Sequence, residues 1–309
     1  MAYGSPERDP GGKGLSCRVA WKRFEEQPWR GRRRHPVRVP SPRFLATALT
    51  RAATLGVLVF MVLLLGPGPV GGAPISVRFV EGATRGFLML HSVNGVLSAQ
   101  GDLFQSVQGG EVKSRMVFRF KDGSLFDETV VFTQQRVFTM QTYHLVQRGP
   151  TFGENSEISL TRSSGKYRVK IQPSTGAEEK VLEGILDLPP DVYNGMVLMV
   201  TRNLPKGAKE TIHTVAFTPT PRLIQLEMTL AGEQKVLVGE LAKTATHYVL
   251  KPRLGIWLKF FATLLGRVPG DYHAWFLMDE VPAFVRFEGP LQTTGPIWRI
   301  ELTSPRWPD

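Results

Sequence analysis

Five of the six histidines, His91, His144, His213, His247 and His273, lie in the carboxy-terminal three-quarters of the chain, where they could move protons or ligate a metal. Asp271-x-His273 comes nearest to a ligand pair, because a spacing of two puts both side chains on one face of a strand. No third ligand is nominated by spacing, so satisfied or surface imidazoles are expected and no metal. The carboxylate pairs Asp127-Glu128 and Asp279-Glu280 could in principle divide acid and base roles. Adjacent strand residues point to opposite faces, so neither pair converges by itself, and solvation at a turn or edge is expected for both. Asp187 and Asp191 flank Leu188-Pro189-Pro190, where Asp191 is suited to capping a helix. There is no Gly-x-Ser-x-Gly elbow, no phosphate-binding Gly-rich loop with Lys and no His-Glu-x-x-His. The reading is therefore non-enzymatic, without a catalytic residue or cofactor to nominate.

The elements that must carry these residues follow a period of two. Ile224, Leu226, Met228 and Leu230 alternate with Gln225, Glu227 and Thr229, and Trp298, Ile300 and Leu302 alternate with Arg299 and Glu301. Met116, Phe118 and Phe120 alternate with Arg115 and Arg119, broken only by Val117, and Tyr167, Val169 and Ile171 alternate with Lys166, Arg168 and Lys170. Such strands have one wet and one packed face. Turns at Lys121-Asp122-Gly123, Ser163-Ser164-Gly165 and Ala231-Gly232 separate about twelve to fourteen strand candidates, as an antiparallel meander requires. The fold class expected is all-β, mainly antiparallel: a curved sheet or partly open barrel over residues 74–309 with two short helices.

One helix is expected within Pro189–Val200, whose prolines and Asp191 suit a first turn. The other, over 254–265, is apolar nearly all round, with Lys259 its only interior charge and Gly266 placed as a stop. It reads as a plug for the open side of the sheet, as a lid or entrance to an apolar cavity, or as a surface that dips into a bilayer with Arg253, Lys259 and Arg267 at the headgroups. In the second case Trp257, Phe260 and Phe261 line the cavity or its entrance, with Trp275 and Trp298 as further wall residues and Phe276 beside them.

Residues 1–43 are rich in Arg, Pro and Gly and are expected to be disordered. They are followed, in 44–73, by an uncharged apolar run ending at Gly66 and a Gly/Pro linker. Its 15 or so uncharged residues suit the core of a signal peptide better than a spanning helix, which needs about 20. Gly72 and Ala73 are the candidate cleavage positions. The expected address is across the cytoplasmic membrane: periplasmic or secreted if cleaved, and otherwise single-pass with the N-terminus inside, the membrane being met through residues 45–66. The only cysteine, Cys17, precedes the run, so the exported part can form neither a disulfide nor a Cys-based zinc site.

The net charge of +11 does not point to nucleic acid, because residues 1–51 hold twelve Lys/Arg against four Asp/Glu and leave 26 against 23 for the remainder. The stretches Asp187-Leu188-Pro189-Pro190-Asp191-Val192-Tyr193-Asn194-Gly195-Met196 and Pro282–Pro290, with Gly295–Leu302, resemble uncharacterised secreted, β-rich bacterial envelope proteins of unknown function. That resemblance implies a periplasmic β domain and carries no catalytic residues with it. The function expected is a binding module for an apolar or lipid-like ligand in the cell envelope. An envelope hydrolase with a site assembled from distant strands is the alternative, and a structural partner of other envelope proteins a third reading.

Overall fold

The computed structural model describes residues 72–173, 178–217, 220–238, 241–253, 270–278, 282–291 and 295–306. The leader, the apolar run, the helix expected over 254–265 with Trp257, Phe260 and Phe261, and Asp279-Glu280 lie outside these residues. Among the described residues no helix is long and apolar enough to cross a membrane.

The alternating segments form strands. A first run holds β1 (Thr84–Ser92), β2 (Leu97–Gln108), β3 (Glu111–Phe120), β4 (Leu125–Gln134), β5 (Phe138–Arg148), β6 (Glu154–Thr161), β7 (Lys166–Pro173) and β8 (Lys180–Ile185). A second holds β9 (Lys209–Ala216), β10 (Arg222–Val238), β11 (Leu241–Arg253), β12 (Tyr272–Leu277), β13 (Ala283–Pro290) and β14 (Ile297–Arg306). Together they make one open antiparallel sheet, in which every neighbour is a sequence neighbour except the β1–β14 pair that joins the two runs. The edges are β8 and β9, the strands on either side of the longest interruption in the meander.

One core cluster takes residues from β1–β7 and from β9–β14, so the sheet curls around a common interior. The outer face is wet and laced with cross-strand ion pairs: Arg115 with Asp127, Arg119 with Asp102, Arg286 with Glu301 and Arg299 with Glu288. Exposed pairs of this kind contribute little to stability individually. Their main consequence is to fix which face of each strand is outside.

The segment between β8 and β9 enters the curl and fills part of it. Val192, Tyr193, Met196, Val200 and Leu204 have no exposed surface. A non-helical segment buried in this way must find partners for its backbone polar groups. It does so in part through a bridge to β9, while three of its side chains serve the backbone of neighbouring segments. Val192 forms a parallel bridge to His213, with Tyr193 N donating to the His213 carbonyl and His213 N to that of Asp191. Asn194 mimics a strand, Nδ2 donating to the Val215 carbonyl at 2.9 Å and Oδ1 accepting from Val215 N at 2.8 Å. Asn203 Oδ1 accepts from the backbone N–H groups of Arg78 and Phe79. The Tyr193 hydroxyl accepts from Ile75 N at 2.9 Å and donates to the Phe138 carbonyl at 3.2 Å, tying the start of the described chain to β5.

The helix expected within 189–200 is therefore corrected. α1 spans only Val197–Arg202, with Met196 as its N-cap residue, and Asp191 caps nothing. The physical reason is Gly195, whose φ of +69 interrupts any helix started at the prolines, while residues 191–193 are paired to β9. A Cβ at Gly195 would come within 3.2 Å of Val130 Cβ and 3.3 Å of the Tyr143 ring. Gly195→Ala is thus expected to lower stability by about 1–3 kcal/mol, from backbone strain and a tight contact combined. Urea unfolding of the two chains checks this.

Candidate functional site

What the buried segment leaves unfilled is a cavity of about 740 Å³. Ligand pockets run from roughly 300 to 1,000 Å³. The register of the sheet builds one wall as a continuous cross-strand row: Leu103, Met116, Glu128, Leu145, Ile158 and Val169, on β2 to β7 in turn. All six line the cavity. From α1 the partly buried Val197, Leu198 and Met199 face it, and from the second run come Leu226, Phe276 and Phe284.

Glu128 is the one ionisable member of that row. Its Oε1 accepts a hydrogen bond from the Tyr143 hydroxyl at 2.9 Å, and no hydrogen bond reaches Oε2 from the described residues. Burial pushes the Glu128 carboxyl up to about 7, against the opposing effect of the Tyr143 hydroxyl. Burial, together with the neighbouring carboxylate, pushes the Tyr143 phenol well above its usual value. Tyr143 in turn stacks on Phe217, the rings 6.1 Å apart and within 5° of parallel. Gln147 lies two residues along β5 from Leu145, 3% exposed, with Oε1 accepting from the Ser156 hydroxyl at 3.2 Å. Its amide nitrogen has no partner among the described residues, although it belongs to the cavity wall.

A second polar group of the wall is self-contained. Glu81, 4% exposed, is bonded to the Arg202 guanidinium of α1 and accepts from Gln105 Nε2 at 2.9 Å. Gln134 grips its backbone from both sides, accepting from Glu81 N and donating to Glu81 O, each at 2.7 Å. Arg202 also donates to the Pro282 carbonyl, and its buried Nε has no partner among the described residues.

The carboxylate pair 127–128 does divide between two faces, as strand geometry requires. Asp127 points outward to Arg115. Solvation at a turn or edge describes Asp127 only in part and Glu128 not at all: the latter sits in the middle of a strand on the apolar side, facing the cavity. The signal was local. Phe126, Glu128, Val130 and Phe132 alternate, which puts the glutamate on the packed face.

Three of the histidines lie apart from one another. His213 Nδ1 lies 2.7 Å from Oδ2 of the fully buried Asp191, the site of an interaction that holds the buried segment to β9. His91 Nδ1 lies 3.7 Å from Glu301 and has no hydrogen-bond partner among the described residues, and His144 Nε2 lies 3.4 Å from Glu157. His247 and His273 do converge, with Nε2 and Nδ1 2.9 Å apart, and His247 stacks on Trp275 at 4.5 Å. Burial first, and then His273, pull the His247 imidazole below its usual value. Asp271 takes no part in this cluster and faces Lys251 at 3.6 Å. No group of three or more His, Cys, Asp or Glu side chains is placed to hold a metal among the described residues.

Of the two tryptophans expected in the wall and described, neither lines the cavity. Trp275 is on the outer face, its indole N–H donating to Gln234 Oε1 at 2.9 Å, with Arg286 over its ring. Trp298 packs edge-on against Phe120, 5.6 Å away, at the margin of the core. Phe276, between them in expectation, is a wall residue. Gly72 lies against Thr211 and Asp191, where a Cβ would clash with both, and Ala73 is exposed. No protein-family model, curated protein or solved structure matches the chain.

Proposed function

We propose that this chain is a non-enzymatic binding module that holds an apolar or lipid-like molecule in the cavity. The observation that carries the reading is the six-residue row with its facing helix and second wall: about 740 Å³ lined mainly by aliphatic and aromatic side chains. An apolar space of this size leaves much of its lining out of contact with protein atoms, and an apolar ligand restores those contacts. The apolar run before residue 67 and the resemblance to secreted envelope proteins favour a cell-envelope address, where such ligands are at hand.

The test is mass spectrometry of an organic extract of the purified full chain. A co-purifying apolar compound near equimolar amount is expected, or, from a chain stripped of it, saturable uptake of N-phenyl-1-naphthylamine. Failure of both would remove the reading.

The hydrolase alternative has a specific observation behind it, the 2.7 Å approach of Asp191 and His213. Against it, the pair lies outside the cavity lining and Asp191 has no exposed surface for a substrate to reach. His213→Gln is therefore expected to leave probe binding within about twofold of the parent, a change of under about 0.5 kcal/mol.

A further inference from the structure

The cavity is not neutral in its chemistry, and its charges say which kind of apolar molecule suits it. The titratable groups among its described lining residues are Glu81, Glu128, Glu154, Arg202, Tyr143 and Tyr272. Arg202, the single cation of that set, is bonded to Glu81. Glu154 is exposed at the margin. Burial holds the Tyr272 phenol up near 12, and Tyr143 points its hydroxyl at Glu128, so neither phenol supplies charge. That leaves Glu128 as the uncompensated charge of the interior, flanked along its row by Met116 and Leu145. Tyr143 occupies Oε1, and Oε2 has no partner among the described residues. Two residues along β5 from Leu145, the nine-tenths-buried Gln147 presents an amide nitrogen that nothing described accepts from.

Resting on the binding reading above, we propose that the cavity selects an apolar molecule with an amine head, whose ammonium pairs with Glu128 Oε2. A partly buried carboxylate on an apolar wall, with one oxygen free, is stabilised by a cationic donor and repels an acid. An acyl chain ending in a carboxylate would meet Glu128 as a like charge at short range, with no unpaired cation among the described lining to offset it. The buried Nε of Arg202 and the unpartnered amide nitrogen of Gln147 are both donors that would favour an acid, which makes a carboxylate the decisive competitor. The net charge of the whole chain, +11, also favours anions in general, so a preference for an amine cannot come from the protein's overall field.

The experiment uses the full chain at pH 8, above the value near 7 held by Glu128. N-phenyl-1-naphthylamine is bound first and then displaced by decylamine, decan-1-ol or decanoate. Decylamine is expected to displace the probe at a concentration at least tenfold below that of decanoate and several-fold below that of the alcohol. In Glu128→Gln the three competitors, each measured against that variant's own affinity for the probe, are expected to converge. Decanoate matching or beating the amine overturns the proposal, as does an amine preference that survives in Glu128→Gln. An alcohol as effective as the amine overturns the cationic assignment. Absence of probe binding to the parent chain fails the underlying cavity reading, and with it this one, and is distinguishable because no competitor is then involved.

Discussion

Replacing Arg202 with methionine is expected to cost about 3–5 kcal/mol, the loss typical of removing one partner from a buried ion pair. The side chains of Arg202 and Glu81 are 18% and 4% exposed, so little water can take the guanidinium's place. Methionine fills much the same volume and suits the helix, so neither a cavity nor lost propensity accounts for the effect. What it leaves is a carboxylate whose remaining side-chain partner is Gln105, gripped by Gln134 in a position it cannot escape. Urea denaturation at pH 7.5 reads the loss. The double variant Arg202→Met, Glu81→Gln removes the stranded charge and is expected to regain at least half of it. A single variant that loses under about 1 kcal/mol would show that the pair is open to solvent and that α1 is not clamped over the cavity.

Glu128→Gln is expected to stabilise the protein, and only at the higher pH. Burial raises the folded-state carboxyl from the ordinary 4.5 to about 7, so the folded protein favours the protonated acid. Between those two values the unfolded chain has released its proton and the native state retains it. Stability from this group is thus fully present below about pH 4.5 and declines as pH rises through 7. At about 1.4 kcal/mol per unit, the cost above pH 8 is roughly 3 kcal/mol at most, reduced by whatever water enters the cavity. Glutamine carries no charge and still offers an oxygen to the Tyr143 hydroxyl. Parent and variant should unfold together at pH 4 and separate by up to about 3 kcal/mol at pH 8, the glutamine form being the more stable. Equal stabilities at both pH values would mean that Glu128 is solvated like a surface acid. A variant that is less stable at pH 8 would mean that an unseen cation already holds it.

The strands were legible because each carries its own evidence. Ile224 to Leu230 and Trp298 to Leu302 show the period of two within seven residues, and both segments form strands with these apolar positions inward or at the core margin. Turn glycines such as Gly123 and Gly165 mark where the meander reverses, and both adopt positive φ. Glu128 was equally accessible, once its face rather than its neighbour Asp127 was considered. The buried segment was not legible. Asp191, Asn194 and Tyr193 bond to His213, Val215, Phe138 and Ile75, partners 21 to 118 residues away, and no local pattern encodes such distances. Read locally, two prolines followed by an acid look like the start of a helix. In the fold the same acid lies under a sheet edge. Trp275 failed for a related reason: composition marks a tryptophan as buried, and it is, but on the outer face against His247 rather than in the cavity.

Whether the cavity itself receives an apolar molecule is tested most directly by filling it. Leu198 projects from α1 into the space and retains accessible surface there, so Leu198→Trp can occupy it without displacing a close-packed neighbour. N-phenyl-1-naphthylamine fluorescence, titrated against the full chain and this variant, is the measurement, with thermal unfolding as the control for folding. A saturable one-to-one signal in the parent that weakens at least tenfold in a variant of unchanged melting temperature is the result expected. Undiminished binding by the variant, or no saturable binding by the parent, would contradict the account.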